Sequence, residues 1–355
     1  MEKQALVPRQ KFLIPEAWKS EEIENHKDLI HYLTPEDLID IDFVAKNLLA
    51  KGETIDTISA EDFQFKKLKY FLNNFTETNL KRGLGFGVIR GFPVDKYSDE
   101  LAGMLFWGMG TCMGLPVSQN SMGHRLGHVF DQGLEYEKMN VRGYQTNHKL
   151  NYHTDSSDLV GLMCLRKAQE GGLSSVACAH SIFNTILETH PESLPILFAG
   201  FQYDRRGEAA PFQEEISDRR PVFSITNGQL SVAYVRQAIK TARIKTGIAF
   251  SQEELDALNH FDAAAANSDN VFSMMLEPGD IQFCNNYLVL HSRTEYKDHS
   301  DPSKHRHMLR LWLKLEAIRS LDDRQIEFDK ATGWSRREGF LPKGMTMRDG
   351  LVVPA

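Results

Sequence analysis

From about residue 140 onward the chain is broken into short, apolar, β-branched segments separated by glycine, asparagine and aspartate turns. They include "VRGYQT", "KLNYHTD", "LVGLMCLR", "LSSVAC", "PVFSIT", "QLSVAY", "VFSMML", "DIQFCNN", "LVLHSR" and "MLRLWLKL". Many short strands with such turns predict a β-sandwich or jelly roll and count against a parallel α/β sheet. Helical pieces interrupt them near residues 180–198, 234–243 and 251–266.

The first eighty residues read as helical. "TPEDLIDIDFVAKNLLAKG" opens with Thr34 at the N-cap, Pro35 at N1 and Asp37 at N3, and stops at Gly52. "SAEDFQFKKLKYFLNNFTETNLKRG" repeats the arrangement between Ser59 and Gly83, and residues 98–113 predict a further helix. "GFGVIRGFPVD" reads as a strand. The glycines of "GLGFGVIRG" fall at 83, 85, 87 and 91, which does not match the G-x-G-x-x-G dinucleotide fingerprint.

A length of 355 residues allows one large domain or two smaller ones. With 41 Lys+Arg against 48 Asp+Glu, the net charge of −7 counts against a nucleic-acid-binding surface. No apolar run is long enough to span a bilayer. The N-terminal stretch "MEKQALVPRQKFLIPEAWKSEEIENHK" lacks the apolar core of a secretory signal. Cys112, Cys164, Cys178 and Cys284 are scattered without C-x-x-C spacing, as expected of buried thiols in a reducing compartment. Together these features predict a cytoplasmic protein.

The chemistry concentrates in "LNYHTDSSDLVG". If this segment is a strand, His153 and Asp155 point to one face, and a divalent metal fits between an imidazole and a carboxylate. A structural hydrogen-bonded pair is the blander reading of the same triplet. A third ligand is available in "GDIQFCNNYLVLHSRTEY", where His291 ends an apolar strand. Two histidines and one carboxylate make the facial triad of non-haem Fe(II) oxygenases. That set leaves three positions open, for a bidentate cosubstrate and O₂, whereas structural zinc takes a closed tetrahedral set. Next comes "HRHMLRLWLKL", in which Arg306 and Arg310 share one strand face. A buried guanidinium requires an anion, and its planar fork suits a carboxylate. A dicarboxylate that chelates the metal at one end needs such a clamp at the other. A surface pair on an edge strand is the alternative.

The succession of His153-Thr-Asp155, "GGLSS" at 171–175, His291 and "RHMLR" at 306–310 resembles the taurine dioxygenase (TauD/TfdA) family of Fe(II)- and 2-oxoglutarate-dependent oxygenases. The resemblance runs from roughly residue 80 to 316. It implies a mainly β fold with flanking helices, a double-stranded β-helix of the clavaminate synthase-like, cupin-type kind. It implies an oxygenase domain over 81–316, with 1–80 as a helical extension packed on it and 317–355 as a tail wrapping the core. The resemblance makes His153, Asp155 and His291 the iron ligands, and Arg306 the partner of the distal carboxylate of 2-oxoglutarate. Ser174 stands where the family usually has a threonine beside that carboxylate, and Arg310 matches a second arginine that faces substrate or cosubstrate. Asp155 occupies the position that related halogenases give to a small residue, so hydroxylation or another oxidation is implied.

The substrate expected is a small polar or anionic molecule, on the strength of Arg310 and two polar, turn-rich loops. One is 116–128, with Gln119, Asn120 and His124; the other is 201–208. A protein-modifying hydroxylase on the same scaffold and a non-catalytic metal-binding jelly roll are the competing readings. No nucleic-acid or membrane partner is expected, and homo-oligomerisation is left open.

Overall fold

Two facing sheets carry the fold, and burial along their strands explains the pairing. The computed structural model describes residues 7–24, 26–135, 141–348 and 351–355. The larger sheet runs in the order Ile30–Tyr32, Phe86–Arg90, Ile281–Asn285, Leu159–Arg166, His307–Lys314 and Leu115–Pro116, with Leu126–Val129 also paired to His307–Lys314. Leu159–Arg166 is nearly all apolar because it lies mid-sheet with both faces covered. The smaller sheet orders Val271–Met274, Ser174–Cys178, Val289–Arg293 and Leu150–His153, all antiparallel. Phe86, Val160, Cys284 and Trp312 of one sheet meet Val176, Cys178 and Val289 of the other in a shared core. The result is a jelly roll, a distorted double-stranded β-helix, closed by packing at one end and open to a cavity at the other.

Helices cover both outer surfaces. Pro35–Lys51, Leu68–Phe75 and Asp99–Thr111 bury their apolar stripes against the larger sheet. The first of these has the predicted capping box: Thr34 donates its backbone N–H to Asp37 Oδ2 at 2.9 Å, and Asp37 N–H donates to Thr34 Oγ1 at 3.3 Å. It ends at Gly52 in the left-handed region, φ 69°. Ala179–Thr189 and Gln252–Ala265 pack with the hairpin Phe223–Thr226/Gln229–Val232 to form a second core behind the smaller sheet.

Three expectations change. The segment from Ser59 to Gly83 is not one helix: Ser59 caps only a 3₁₀ turn, Ala60–Asp62. An α-helix restarts at Leu68 and runs into a π-turn, Thr76–Lys81. The restart is capped from outside, because the Asp40 carboxylate accepts the backbone N–H groups of Lys66, Lys67 and Leu68 at 2.6–3.1 Å. The largely helical N-terminal region also contributes the strand Ile30–Tyr32, parallel to Phe86–Arg90. "VRGYQT" forms a 3₁₀ turn, Gly143–Gln145, instead of a strand. The four cysteines are free thiols, and burial pushes Cys164 up to about 12. Among the described residues no helix is long and apolar enough to cross a membrane.

Candidate active site

The open end of the roll holds a cavity of about 400 Å³, a size that suits a small-molecule ligand. His153 ends the strand Leu150–His153 and is directly opposite His291 in the antiparallel register. Their ring centroids are 4.3 Å apart. Asp155 lies just past the strand end, so backbone pleating does not aim it. Local hydrogen bonds do. Thr154 N–H donates to the Tyr234 carbonyl at 2.9 Å, and Tyr234 N–H donates to Thr154 Oγ1 at 3.0 Å. The Asp155 N–H donates to Asn286 Oδ1 at 3.0 Å. The middle residue of the H-x-D triplet thus fixes the turn that brings the carboxylate back to the histidines.

Ligand atoms of His153, Asp155 and His291 lie within 4.8 Å of one another. His153 Nδ1 is 2.8 Å from the Asn151 carbonyl, so it carries the proton and leaves Nε2 as a lone-pair donor. His291 Nε2 is 3.7 Å from Asp155 Oδ2, and its buried Nδ1 meets no partner among the described residues. Burial and the neighbouring His153 push His291 down to about 3, so the ring is neutral, the form that ligates. Burial raises the Asp155 carboxyl, but Arg310, His291, His153 and the Trp312 N–H outweigh it and leave it below the usual range. Trp312 Nε1 donates to Asp155 Oδ2 at 3.0 Å. Two imidazoles, that of His291 neutral, facing one ionised, oriented carboxylate fit a divalent metal. A second group, His190, Glu192 and His260, also brings its possible ligand atoms within 4.8 Å of one another, but is less suited to a metal. Its two imidazoles stack at 3.5 Å and 6°, so their in-plane lone pairs lie in parallel planes instead of pointing at one centre.

Arg306 and Arg310 both line the cavity, Arg306 immediately before the strand His307–Lys314 and Arg310 within it. Arg306 is 7% exposed, and its Nη1 has no hydrogen-bond partner. Gly172 (φ 75°) lies against it, a Cβ there falling 3.3 Å from Arg306 Nε, while a Cβ on Gly171 (φ 72°) would strike the Glu295 carbonyl at 2.2 Å. Ser174 is buried beside this region and donates to Gln282 Oε1 at 2.8 Å, while Gln282 Nε2 is left unpaired. Arg310 is held by Gln119 in both directions. Arg310 Nε donates to Gln119 Oε1 at 2.7 Å, and Gln119 Nε2 donates to the Arg310 carbonyl at 2.8 Å. The Arg310 guanidinium lies over Tyr144 and Trp312, 3.9 Å from Asp155 Oδ1.

Gln119 therefore reaches the cavity, but Asn120 and His124 do not line it. Asn120 Oδ1 accepts the N–H groups of Met122 and His124, and its Nδ2 lies 3.1 Å from His124 Nδ1, closing an exposed turn. The loop 201–208 does reach the cavity, through Arg205, Arg206 and Glu208. Sequence reasoning passed over Arg293, Trp312 and the tail residue Arg336. The last lines the cavity and donates to Ser156, beside Asp155.

A jelly roll that gathers two histidines and an aspartate at its mouth, with a buried unpaired arginine behind them, defines the class of non-haem Fe(II)/2-oxoglutarate-dependent oxygenases. The chain belongs to the taurine catabolism dioxygenase TauD/TfdA family, whose model matches residues 49–312. It is 31% identical over 303 residues to FR-33289 synthase of Streptomyces rubellomurinus (strain ATCC 31215), covering 84% of this chain and 89% of that protein. It is 28% identical to the taurine hydroxylase-like protein SAT17 of Stachybotrys chartarum (strain CBS 109288 / IBT 7711), covering 83% and 77% respectively. Among solved structures, an asparagine oxygenase with Fe(II), 2S,3S-3-hydroxyasparagine and succinate superposes with a TM-score of 0.63 at 17% identity, covering 80% of this chain and 93% of that one. The non-haem iron oxygenase OrfP with Fe and α-ketoglutaric acid gives 0.59 at 14% identity, covering 85% and 97%. This protein is an oxygenase that uses Fe(II), with 2-oxoglutarate and O₂ as cosubstrates.

Proposed function

We propose that this oxygenase oxidises an unactivated C–H of a small, polar or anionic molecule, with His153, Asp155 and His291 holding the iron. The observation that carries the reading is the direct pairing of His153 and His291 across the smaller sheet, with Asp155 turned back onto them. Iron at this triad, supplied with 2-oxoglutarate and O₂, provides the oxidising chemistry. The protein's own groups bind and orient. Arg306 and Ser174 receive the distal carboxylate of 2-oxoglutarate. Gln119 holds the Arg310 guanidinium beside the triad, where it can take an oxyanion of the substrate. The aromatic rings of Tyr144 and Trp312 restrict its position and keep water from one side.

The asparagine oxygenase and OrfP structures hold hydroxylated amino acids. With Arg310 at the triad, this supports a substrate bearing a carboxylate or a similar oxyanion. The oxygenase unit of this reading is 81–316, with the described residues before and after it packed on it. Anaerobic protein loaded with Fe(II) and 2-oxoglutarate is expected to show a chelate absorption band, and a screen of small oxyanions should perturb it when the substrate binds. Asp155→Ala is expected to stay folded and lose both iron content and succinate formation. Full Fe(II)-dependent turnover in Asp155→Ala and His291→Ala would overturn the ligand assignment.

A further inference from the structure

Two buried arginines, not one, face the place assigned to the distal carboxylate of 2-oxoglutarate. Arg293 ends the strand that carries His291 and pairs in register with Ser174. It is 5% exposed. Its guanidinium lies over the ring of Tyr296 at 4.6 Å, and that of Arg306 lies over the same ring at 5.0 Å. Both line the cavity.

The hydrogen-bond pattern around this pair is incomplete. Arg293 Nη2 donates to the backbone carbonyls of Thr146 and His148, which are neutral partners. Among the described residues, Arg293 Nε and Nη1 and Arg306 Nη1 are buried without a partner, as is the nearby Gln282 Nε2. Among the described residues no carboxylate forms an ion pair with either guanidinium. Asp298 accepts the Arg306 backbone N–H at 2.7 Å. Two like charges held this close, away from water and short of acceptors, are costly unless an anion enters. Among the described residues the unpaired groups here are donors, apart from the Tyr296 hydroxyl, which can also accept, so the missing partner is an acceptor with several lone pairs. A carboxylate has two oxygens and about four lone-pair sites.

We propose that Arg293 is the second cation of the cosubstrate pocket, so that the distal carboxylate is shared between the guanidiniums of Arg306 and Arg293. This rests on the placement of 2-oxoglutarate given above. It adds that the affinity for the dicarboxylate depends on a residue of the metal-bearing strand itself. The metal ligand His291 and the carboxylate clamp are then set by one strand, two residues apart. Strand register fixes the spacing between the two ends of the cosubstrate.

The test is calorimetric titration of the anaerobic Mn(II) form with 2-oxoglutarate and with 2-oxobutyrate, which has the chelating 2-oxo acid but no distal carboxylate. Arg293→Gln is expected to weaken 2-oxoglutarate roughly ten- to hundredfold, the worth of one charge-assisted hydrogen-bonded contact. Binding of 2-oxobutyrate should be unchanged. Arg293→Lys should recover part of the loss and, if the glutamine variant fails to fold, should itself lower the preference for 2-oxoglutarate over 2-oxobutyrate. An unchanged preference, or an equal loss for both acids, overturns the proposal and leaves Arg293 as a brace for the Thr146–His148 backbone. Arg306→Gln runs alongside: if it too leaves the preference intact, the cosubstrate placement itself fails, and if it alone abolishes the preference, only the role of Arg293 does.

Discussion

At the residue scale, the site depends on side chains that orient other side chains. Trp312 is the clearest case. Its indole donates to Asp155 Oδ2, and its ring packs against Phe340 of the tail at 5.8 Å. The bond fixes one carboxylate oxygen and so defines which lone pairs face the histidines. Trp312→Phe keeps most of the packing and removes the donor. We expect Fe(II) affinity to fall roughly ten- to hundredfold, the usual cost of losing such an outer partner of a metal ligand. Metal competition monitored at equilibrium checks this, and an unchanged affinity would show that Asp155 is oriented by its backbone alone. Period two along the strands leads from Arg310 to Trp312 and from His291 to Arg293. These residues are visible in the sequence as positions. What the rule cannot supply is which neighbouring strand lies across from them, and that decides whether a guanidinium meets an acid, a carbonyl or nothing.

At the scale of elements, the chain segment 154–158 crosses from the smaller sheet to the larger, and Asp158 locks the crossing. Its fully buried carboxylate accepts from Tyr287 Oη, from Nε and Nη2 of Arg337, and from the Leu315 N–H, each at 2.8 Å. One acid thus joins the turn after the triad, the end of the His307–Lys314 strand and the C-terminal tail. Removing it leaves the half-buried Arg337 guanidinium without its counter-charge. Asp158→Ala is expected to lose on the order of 3–5 kcal/mol in denaturant unfolding. A loss below about 1 kcal/mol would mean that water replaces the carboxylate at little cost.

Sequence pattern located the strands well because both their length and their apolar character follow directly from being covered on two faces. It failed between Ser59 and Gly83 because the helix restart is capped by Asp40, a contact between segments that no local pattern announces.

For the whole molecule, the tail and the 201–220 region are joined by a buried charge cluster. Glu327 is paired with Arg205, Arg220 and Arg336, the last two at 3.7 and 3.0 Å. Burial raises its carboxyl, but Arg220, Arg336 and Arg205 outweigh this and hold it down at about 2, against an ordinary value of 4.5. Arg220, lowered to about 10 by burial and by Arg336, still carries its charge at neutral pH. The folded-state value is depressed, so the contribution is complete above about pH 5. It is lost progressively as pH falls from the unfolded value toward about 2, and amounts to on the order of 3 kcal/mol. Stability measured from pH 6 to pH 3 should decline in the wild type and decline less in Glu327→Gln, which is already weaker at pH 6. Parallel curves would remove Glu327 from the acid response. None of this cluster was legible in the sequence, since its members lie in loops of ordinary charged composition. The triad and Arg306 were legible because metal and anion chemistry restrict residue types more tightly than packing does.

The register that sets His153 against His291 also has a consequence in time. Strands this far apart in sequence pair late, because a long loop must close before their contacts repay its entropy. A ribosome that has released the first two hundred residues has made neither the partner strand nor Tyr234 and Asn286, which hold the H-x-D turn. On the proposed ligand assignment, the nascent chain therefore offers iron no formed site, and loading awaits the Val289–Arg293 strand. Iron occupancy in cells then reports completion of the fold, and a destabilised variant should leave synthesis depleted of metal before it shows any loss of abundance.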